Sequence, residues 1–158
     1  MQNGQLTISY RIYQSADELP VEWASLLSKA VEATERSYAP FSNFKVGAAL
    51  LLDNGEVVCG ANQENAAFPS GLCAERSACY YAGANYPGVS MKAIAIAARL
   101  GGELTETPTY PCGACRQALV QYEKIGGEPM VVILGSASRI EVFSSVSDLL
   151  PFVFDNLE

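Results

Sequence analysis

The sequence predicts a three-layer α/β fold around a mixed β-sheet, and two observations support this prediction. The chain has 158 residues, about the length of one domain, and 49% of them are hydrophobic, which is enough to bury a core. The hydrophobic patterns along the chain predict elements in the order strand, strand, helix, strand, helix, strand, which is typical of helices packed on a sheet. We therefore expect a single domain over residues 1–158.

The first half of the chain supplies a strand, a helix and a hairpin. Apolar and polar residues alternate over 6–12, the period-2 pattern of a half-buried strand. Apolar residues then recur at helical spacing over about 20–37, and the proline at the start suits a first helical turn. The segments 44–52 and 56–60 flank Asp53-Asn54-Gly55, a strong turn signal for a β-hairpin.

The second half of the chain begins with a loop over 61–72 that is rich in Asn, Pro and Gly, and further helices and strands follow it. Short apolar runs predict buried strands, and apolar residues at helical spacing predict helices. The predicted elements are helices over 73–84 and about 113–123, strands over 91–98, 130–134 and 139–143, and a short helix over 145–150. An apolar tail over 151–154 follows the last of them.

Charge and composition exclude several classes of function. Ten basic and seventeen acidic residues give a formal net charge of −7, which repels phosphate backbones and disfavours a polynucleotide-editing enzyme. The chain contains no histidine, which excludes Ser-His-Asp triads, Cys-His proteases and histidine metal sites. No apolar run reaches the roughly 18 residues of a membrane span, and the polar N-terminus does not resemble a signal peptide. We expect a cytoplasmic protein with a small-molecule substrate and no nucleic-acid or membrane partner.

Two short cysteine segments predict a metal site. Five cysteines, an odd number without an export signal, argue against a disulfide framework. Cys73 opens one predicted helix, and Cys112 and Cys115 open another, where exposed N–H groups and the helix dipole favour thiolate. Three thiolates make three zinc ligands and leave a fourth position for water, as in catalytic zinc sites. Cys79 is six residues beyond Cys73 and faces away on the helix, whereas Cys59 could still close a structural four-cysteine site.

Glu75 and Arg76 follow Cys73 at positions that suit catalysis. A carboxylate beside a metal-activated water can take a proton and deliver it to a substrate, and we interpret Glu75 in this way. The alternative is a solvated glutamate favoured by the helix dipole. Zinc with three thiolates carries a net negative charge, which a nearby cation would offset, and Arg76 is the candidate. Alternatively, Arg76 pairs with a surface carboxylate.

Around these motifs the sequence resembles the cytidine deaminase family, in its small homotetrameric form with a three-cysteine zinc site. Residues 38–49 resemble the first core segment of the family, 60–66 its ribose-binding segment, and 149–151 the end of its C-terminal helix. The resemblance extends over about 23–154. It implies a mixed five-stranded sheet between layers of helices and one Zn²⁺ per chain. It also implies hydrolysis of cytidine and deoxycytidine to uridine and deoxyuridine plus ammonia, in pyrimidine nucleoside salvage.

The resemblance further implies a role for each residue of the site. Three residues hold zinc and one transfers protons, namely Cys73, Cys112, Cys115 and Glu75. The ribose 3′-hydroxyl is bound by Asn62 and Glu64, and a carboxylate there disfavours a phosphate. The base contacts two backbone groups, the N–H of Ala74 at O2 and the carbonyl of Tyr110 at the amino group. Phe44 packs on the substrate, and Phe154 reaches the site of a neighbouring subunit.

Three features depart from the family pattern. Residues 1–20, with their predicted strand, form an N-terminal extension. Phe68 stands where a tyrosine is frequent, and Tyr110 replaces a small Ser or Thr before the Pro-Cys pair. If the Tyr110 ring points inward, the pocket shrinks and substrate preference changes.

Two alternatives to a nucleoside deaminase stay open at this point. The first is a related aminohydrolase for a cytosine-containing antibiotic such as blasticidin S, although the segment 62–65 favours a ribose. The second is a non-enzymatic module with a structural metal, which requires a fourth protein ligand.

Overall fold

A seven-stranded mixed sheet forms the centre of the molecule in the computed structural model, which describes residues 1–155. The strands are β1 Tyr10–Tyr13, β2 Phe44–Leu52, β3 Val57–Ala61, β4 Met91–Leu100, β5 Glu103–Leu104, β6 Val131–Gly135 and β7 Ile140–Phe143. Their order is β1-β7-β6-β4-β2-β3, with β5 paired to β4. Strands β4 and β6 are parallel and the other pairs are antiparallel.

Helices cover both faces of this sheet and bury a core on each. Helix α1 (Val21–Ala33) packs with Ala49, Ala95 and Ile133 on one face. Helices α2 (Ala74–Asn85) and α3 (Gly113–Gly126) pack on the other face, where long apolar side chains fill the space. The predicted three-layer α/β/α architecture is thus confirmed. Among residues 1–155, no helix combines the length and apolar character needed to cross a bilayer.

The expected count of five strands is wrong, because two short strands extend the sheet. Strand β5 turns back on β4 through two consecutive glycines at positive φ, Gly101 and Gly102, and its two residues are too short to produce a periodic pattern. Strand β1 belongs to the N-terminal extension and pairs with β7. It was predicted over 6–12 but occupies Tyr10–Tyr13, because β7 itself offers only four residues for pairing.

Helix α1 and the C-terminal helix are also shorter than predicted. Helix α1 ends at Ala33 and tightens into a 3₁₀ turn over Thr34–Arg36. The hydroxyl of Thr34 donates to the carbonyl of Val31 at 2.6 Å, the kind of local bond that competes with regular helix. The short helix expected over 145–150 is a 3₁₀ helix over Val146–Leu149.

A close approach between β3 and α2 fixes the start of that helix. A Cβ atom on Gly60 would lie 2.3 Å from the carbonyl oxygen of Ala74 and 2.7 Å from the backbone nitrogen of Ala78. Only glycine therefore lets the first turn of α2 lie directly on the strand. Since Cys73 is the N-cap of α2, this contact also positions the first candidate metal ligand.

A buried carboxylate on α3 ties the C-terminal turn to the core. Glu123 is 7% exposed and accepts hydrogen bonds from the backbone N–H groups of Met130 and Val146, both at 2.8 Å, and from the hydroxyls of Ser145 and Ser147. Burial acts to raise the pKa of Glu123, but the hydrogen bonds from Ser147, Met130, Ser145 and Val146 together lower the pKa below its ordinary value. The folded state therefore favours the ionised carboxylate.

This network predicts a loss of stability in acid. A carboxyl whose pKa is depressed by folding stabilises the fold above its unfolded pKa of about 4.3, and that contribution disappears as the pH falls through the folded pKa. We expect Glu123→Gln to be less stable at pH 7 by about 1–3 kcal/mol, and the difference to shrink below about pH 4.3. Thermal unfolding from pH 3 to 8 measures this, with the exposed Glu32→Gln as control. A stability difference independent of pH would contradict the prediction.

Candidate active site

Three cysteine sulfurs meet where two helices begin. Cys73 is the N-cap of α2, Cys112 is the N-cap of α3, and Cys115 lies in the first turn of α3. The three Sγ atoms all lie within 4.8 Å of one another. Cys73 is 3.8 Å from Cys112, and Cys112 is 3.5 Å from Cys115. The N–H groups and positive dipole ends of two helices therefore converge on one cluster of thiols.

The chemistry and spacing of this cluster fit zinc. Tetrahedral zinc–sulfur bonds of about 2.3 Å place neighbouring sulfurs about 3.8 Å apart. The Arg76 guanidinium donates to Cys73 Sγ at 3.5 Å. Hydrogen bonds from Cys115 and Arg76 lower the pKa of Cys73 to about 5, so thiolate, the form that binds metal, is available at neutral pH. The neighbouring Cys73 sulfur and burial both raise the pKa of Cys115 above its ordinary value.

The other two cysteines stand apart from the cluster. Cys79 is fully buried on α2 and its sulfur lies 3.8 Å from the carbonyl oxygen of Arg76. Burial raises the pKa of Cys79 to about 12. Cys59 lies in β3 and packs against the core on the α1 side of the sheet. Within residues 1–155 the metal-binding group contains three residues, which leaves a fourth ligand position free of protein, unlike a structural four-cysteine site.

Glu75 lies in the first turn of α2 and is 4% exposed. Burial raises the pKa of Glu75 to about 7, and the negative charge of Cys73 acts in the same direction. A carboxyl with a pKa near neutrality can both accept and donate a proton. The adjacent Arg76 has a buried Nε atom without a hydrogen-bond partner among the described residues, while its Nη2 contacts the cluster.

A cavity of about 500 Å³ opens beside the cluster, with Cys73 and Arg76 in its wall. Its size suits a small ligand. The rings of Phe41 and Phe68 meet edge to face across 5.7 Å and supply apolar surface. Ala74 is fully buried at the first position of α2, where backbone N–H groups have no partner within the helix.

Glu64 and Asn62 supply the polar wall of the same cavity. Glu64 accepts from the backbone N–H of Phe41 at 2.8 Å, from that of Ser42 at 3.2 Å, and from the Ser42 hydroxyl. The bond from that hydroxyl is the main cause of a lowered pKa for Glu64, so a negative charge stands at the cavity.

The amide of Asn62 is largely engaged by its own chain. Its oxygen accepts from the Ser37 hydroxyl at 2.5 Å and from the Val46 N–H at 2.8 Å, and its nitrogen donates to the Phe44 carbonyl at 2.9 Å. A side-chain amide has two N–H donors. One donor therefore remains with which Asn62 can reach a ligand.

Three other predicted residues lie outside the cavity wall. Phe44 is half-buried at the start of β2 and does not line the cavity, whereas Phe41 and Phe68 do. Phe154 is 72% exposed, with its carbonyl held by the Gln117 side chain at 2.7 Å. The Tyr110 ring does not point inward, since its hydroxyl donates to Glu141.

The chain matches the family model described as the cytidine and deoxycytidylate deaminase zinc-binding region over residues 22–128. This match covers more than half of the chain and contains the three clustered cysteines and Glu75. The chain belongs to the cytidine and deoxycytidylate deaminase family. The resemblance expected from the sequence motifs is thereby confirmed.

Individual relatives agree with membership of this deaminase family. The chain is 39% identical to the cytidine deaminase of Sporosarcina psychrophila over 130 residues, which are 82% of this chain and 88% of the relative. It is also 39% identical to that of Halalkalibacterium halodurans, over 82% of this chain and 91% of the relative. The crystal structure of cytidine deaminase from Burkholderia pseudomallei matches with a TM-score of 0.70 at 41% identity, covering 82% of this chain and 97% of that one. Residues 1–21 precede the family match.

Proposed function

We propose that this chain is a zinc-dependent hydrolase that deaminates cytidine and deoxycytidine to uridine and deoxyuridine, in pyrimidine nucleoside salvage. One observation carries the proposal: three cysteine sulfurs cluster at the starts of two helices, with the buried Glu75 in the first turn of one of them, and Cys73 of this cluster lies in the wall of a cavity of about 500 Å³. Relatives of similar length that bear the name cytidine deaminase support the choice of substrate.

Cys73, Cys112 and Cys115 are the residues that would hold the zinc ion. Zinc supplies a lowered pKa for a bound water, which makes that water a nucleophile at neutral pH. Arg76 offsets the negative charge of the three thiolates through its hydrogen bond to Cys73. The remaining steps belong to side chains and backbone groups of the chain itself.

Glu75 moves the protons of the reaction. The carboxylate takes a proton from the attacking water and delivers it to N3 of the cytosine ring as the C4–O bond forms. It then transfers the second water proton to the amino nitrogen, the C4–N bond breaks, and ammonia leaves. Water and cytidine thus give uridine and ammonia with all atoms accounted for. A pKa of about 7 for Glu75 suits both directions of transfer.

Backbone and polar groups orient the nucleoside. The N–H of Ala74 donates to the cytosine O2, and the carbonyl of Tyr110 accepts from the amino group. Glu64 and the remaining N–H of Asn62 bind the ribose 3′-hydroxyl. None of these groups contacts the 2′-hydroxyl in this arrangement, so the ribose and deoxyribose forms are both substrates.

The ionised Glu64 predicts selectivity for nucleosides over nucleotides. A phosphate on the 3′-oxygen would lie against this carboxylate and juxtapose like charges, so we expect cytidine to be deaminated at least about tenfold more efficiently than cytidine 3′-monophosphate. Glu64→Gln removes the charge, and the ratio should fall towards one. The loss of ultraviolet absorbance measures each rate, with Asp53→Asn at the distant hairpin turn as the control. Blasticidin S is tested in parallel, and its deamination in preference to cytidine would contradict the proposed substrate.

The quaternary assembly is also part of the proposal. We infer a homotetramer in which Phe154 enters the site of a neighbouring subunit, in keeping with the family form that the motifs resemble. The 72% exposure of Phe154 and the 87% exposure of Phe152 leave both rings free for such a contact. A solution mass of one chain would contradict this assembly.

A further inference from the structure

Tyr110 occupies the position next to the Pro111-Cys112 pair, but its ring lies away from the substrate cavity. It lines a separate groove together with Tyr10 and Phe143. Its hydroxyl donates to Glu141 Oε2 at 2.5 Å. The side chain thus leaves the cavity free, and only the backbone of this residue can face the substrate.

Glu141 is built into the fold rather than exposed beside it. Its side chain is 2% exposed on β7, and Arg139 Nε donates to its second oxygen at 2.7 Å. The N-terminal strand β1 covers this edge, with Ile12 as the register partner of Glu141. Both oxygens of a buried carboxylate are therefore occupied, one by Arg139 and one by Tyr110. A buried charge satisfied in this way has a single favourable geometry.

Two further contacts hold the same segment. Phe143 lies two residues beyond Glu141 on β7, and its ring meets the Tyr110 ring edge to face with 6.4 Å between the ring centroids. Tyr10 stacks on the Phe143 ring with a centroid distance of 4.9 Å. Arg116 Nε donates to the carbonyl of Pro111 at 2.8 Å. The backbone just before Cys112 is consequently fixed from the side of β7 and from the side of α3.

We propose that Glu141 is a positioning residue, which through the Tyr110 hydroxyl fixes the segment that carries Cys112 and the Tyr110 carbonyl. The proposed effect on Cys112 depends only on the presence of the metal site, whereas the proposed effect on the Tyr110 carbonyl rests on the proposed function. The N-terminal extension contributes to the same support, because β1 covers Glu141 and Tyr10 packs on Phe143.

The rate of zinc release tests the part that concerns Cys112. Zinc-loaded protein is mixed with an excess of a colorimetric chelator, and Tyr110→Phe is compared with wild type. Losing a hydrogen bond to a charged group should speed release about tenfold. Tyr13→Phe, which removes a hydroxyl from the opposite face of β1, is the matched control and should leave the rate unchanged.

Steady-state kinetics with cytidine test the part that concerns the carbonyl. Tyr110→Phe and Glu141→Leu should raise KM about tenfold with a smaller change in kcat, because ground-state and transition-state contacts are weakened alike. Glu141→Gln can still accept from Arg139 and bond the Tyr110 hydroxyl, so its KM should stay within about threefold of wild type. This rescue distinguishes positioning from a general loss of stability.

Tyr110→Phe is expected to fold, because it keeps the aromatic ring and its packing. If this variant showed the wild-type rate of zinc release and the wild-type KM, the inference would be overturned. If zinc-loaded wild-type protein left cytidine unchanged, the proposed function would be refuted. If Tyr110→Phe nevertheless released zinc faster than wild type, the role of Glu141 at Cys112 would still be supported. The two failures are therefore distinguishable.

Discussion

Replacing Glu75 by Gln is expected to reduce kcat for cytidine by about 10²–10⁴-fold while one zinc ion per chain is retained. Glu75 is two residues beyond Cys73, outside the three-sulfur cluster, so the variant removes proton transfer but no metal ligand. The fold should persist, because glutamine is close to glutamate in size and introduces no charge into this buried position.

Glu123→Gln is the matched control for this experiment, since both glutamates are buried in helices of the same layer. The control should lose stability without losing turnover per folded molecule, because Glu123 contacts the C-terminal turn and not the cavity. Glu75→Gln should show the opposite result. A turnover within tenfold of wild type for Glu75→Gln would exclude Glu75 as the residue that transfers protons.

Removing a cysteine of the cluster should abolish zinc binding. Cys115→Ser preserves the size of a fully buried side chain but substitutes a poor zinc ligand, and we expect affinity to fall by more than about 100-fold. Where zinc was saturating, a 100-fold weaker Kd removes about 2.7 kcal/mol of stabilisation. Metal analysis after dialysis should find close to zero zinc per chain, together with a lower Tm than that of zinc-loaded wild type.

Cys59→Ala provides the comparison for the cluster variant. This cysteine lies in β3, apart from the three sulfurs, and its loss should leave zinc content and turnover unchanged. If Cys115→Ser retained one zinc per chain at wild-type affinity, the three-cysteine assignment would be wrong. If Cys59→Ala lost zinc, a fourth protein ligand would be indicated, as in a structural site.

The cysteine cluster was predictable because local chemistry determines it. A cysteine at a helix start projects its sulfur towards the exposed N–H groups of the first turn, so two such starts on neighbouring helices of one layer form one site. Glu75 and Arg76 follow from the same helix start. The hairpin between β2 and β3 was likewise determined locally, by the Asp53-Asn54-Gly55 turn with Gly55 at φ 85°.

Contacts between distant segments were not predictable in the same way. The direction of the Tyr110 ring depends on Glu141, 31 residues away, and nothing in the local sequence signals that pair. The cavity wall depends on a contact between Phe41 and Phe68, which lie in separate loops. Phe44, which the family segment suggests as a substrate contact, does not line this cavity in the chain by itself, and its contact with the substrate stays a prediction.

The N-terminal extension contains one feature that could be predicted from the sequence and one that could not. Its alternating pattern correctly indicated a strand, but alternation alone does not specify a partner. The strand pairs with β7, whose four residues limit the ladder to Tyr10–Tyr13. Leu6 and Ile8 therefore lie outside the strand and remain 54% and 41% exposed. The alternating pattern had predicted that these apolar side chains would be buried.

The stoichiometry of the products that zinc-loaded wild-type protein forms from cytidine tests the proposed deamination directly. We predict one uridine and one ammonia for each cytidine consumed, with turnover that disappears when a chelator removes the zinc and returns when zinc is restored. Protein that holds one zinc per chain at the cysteine cluster and yet releases neither uridine nor ammonia would contradict the assignment of this site as a cytidine deaminase.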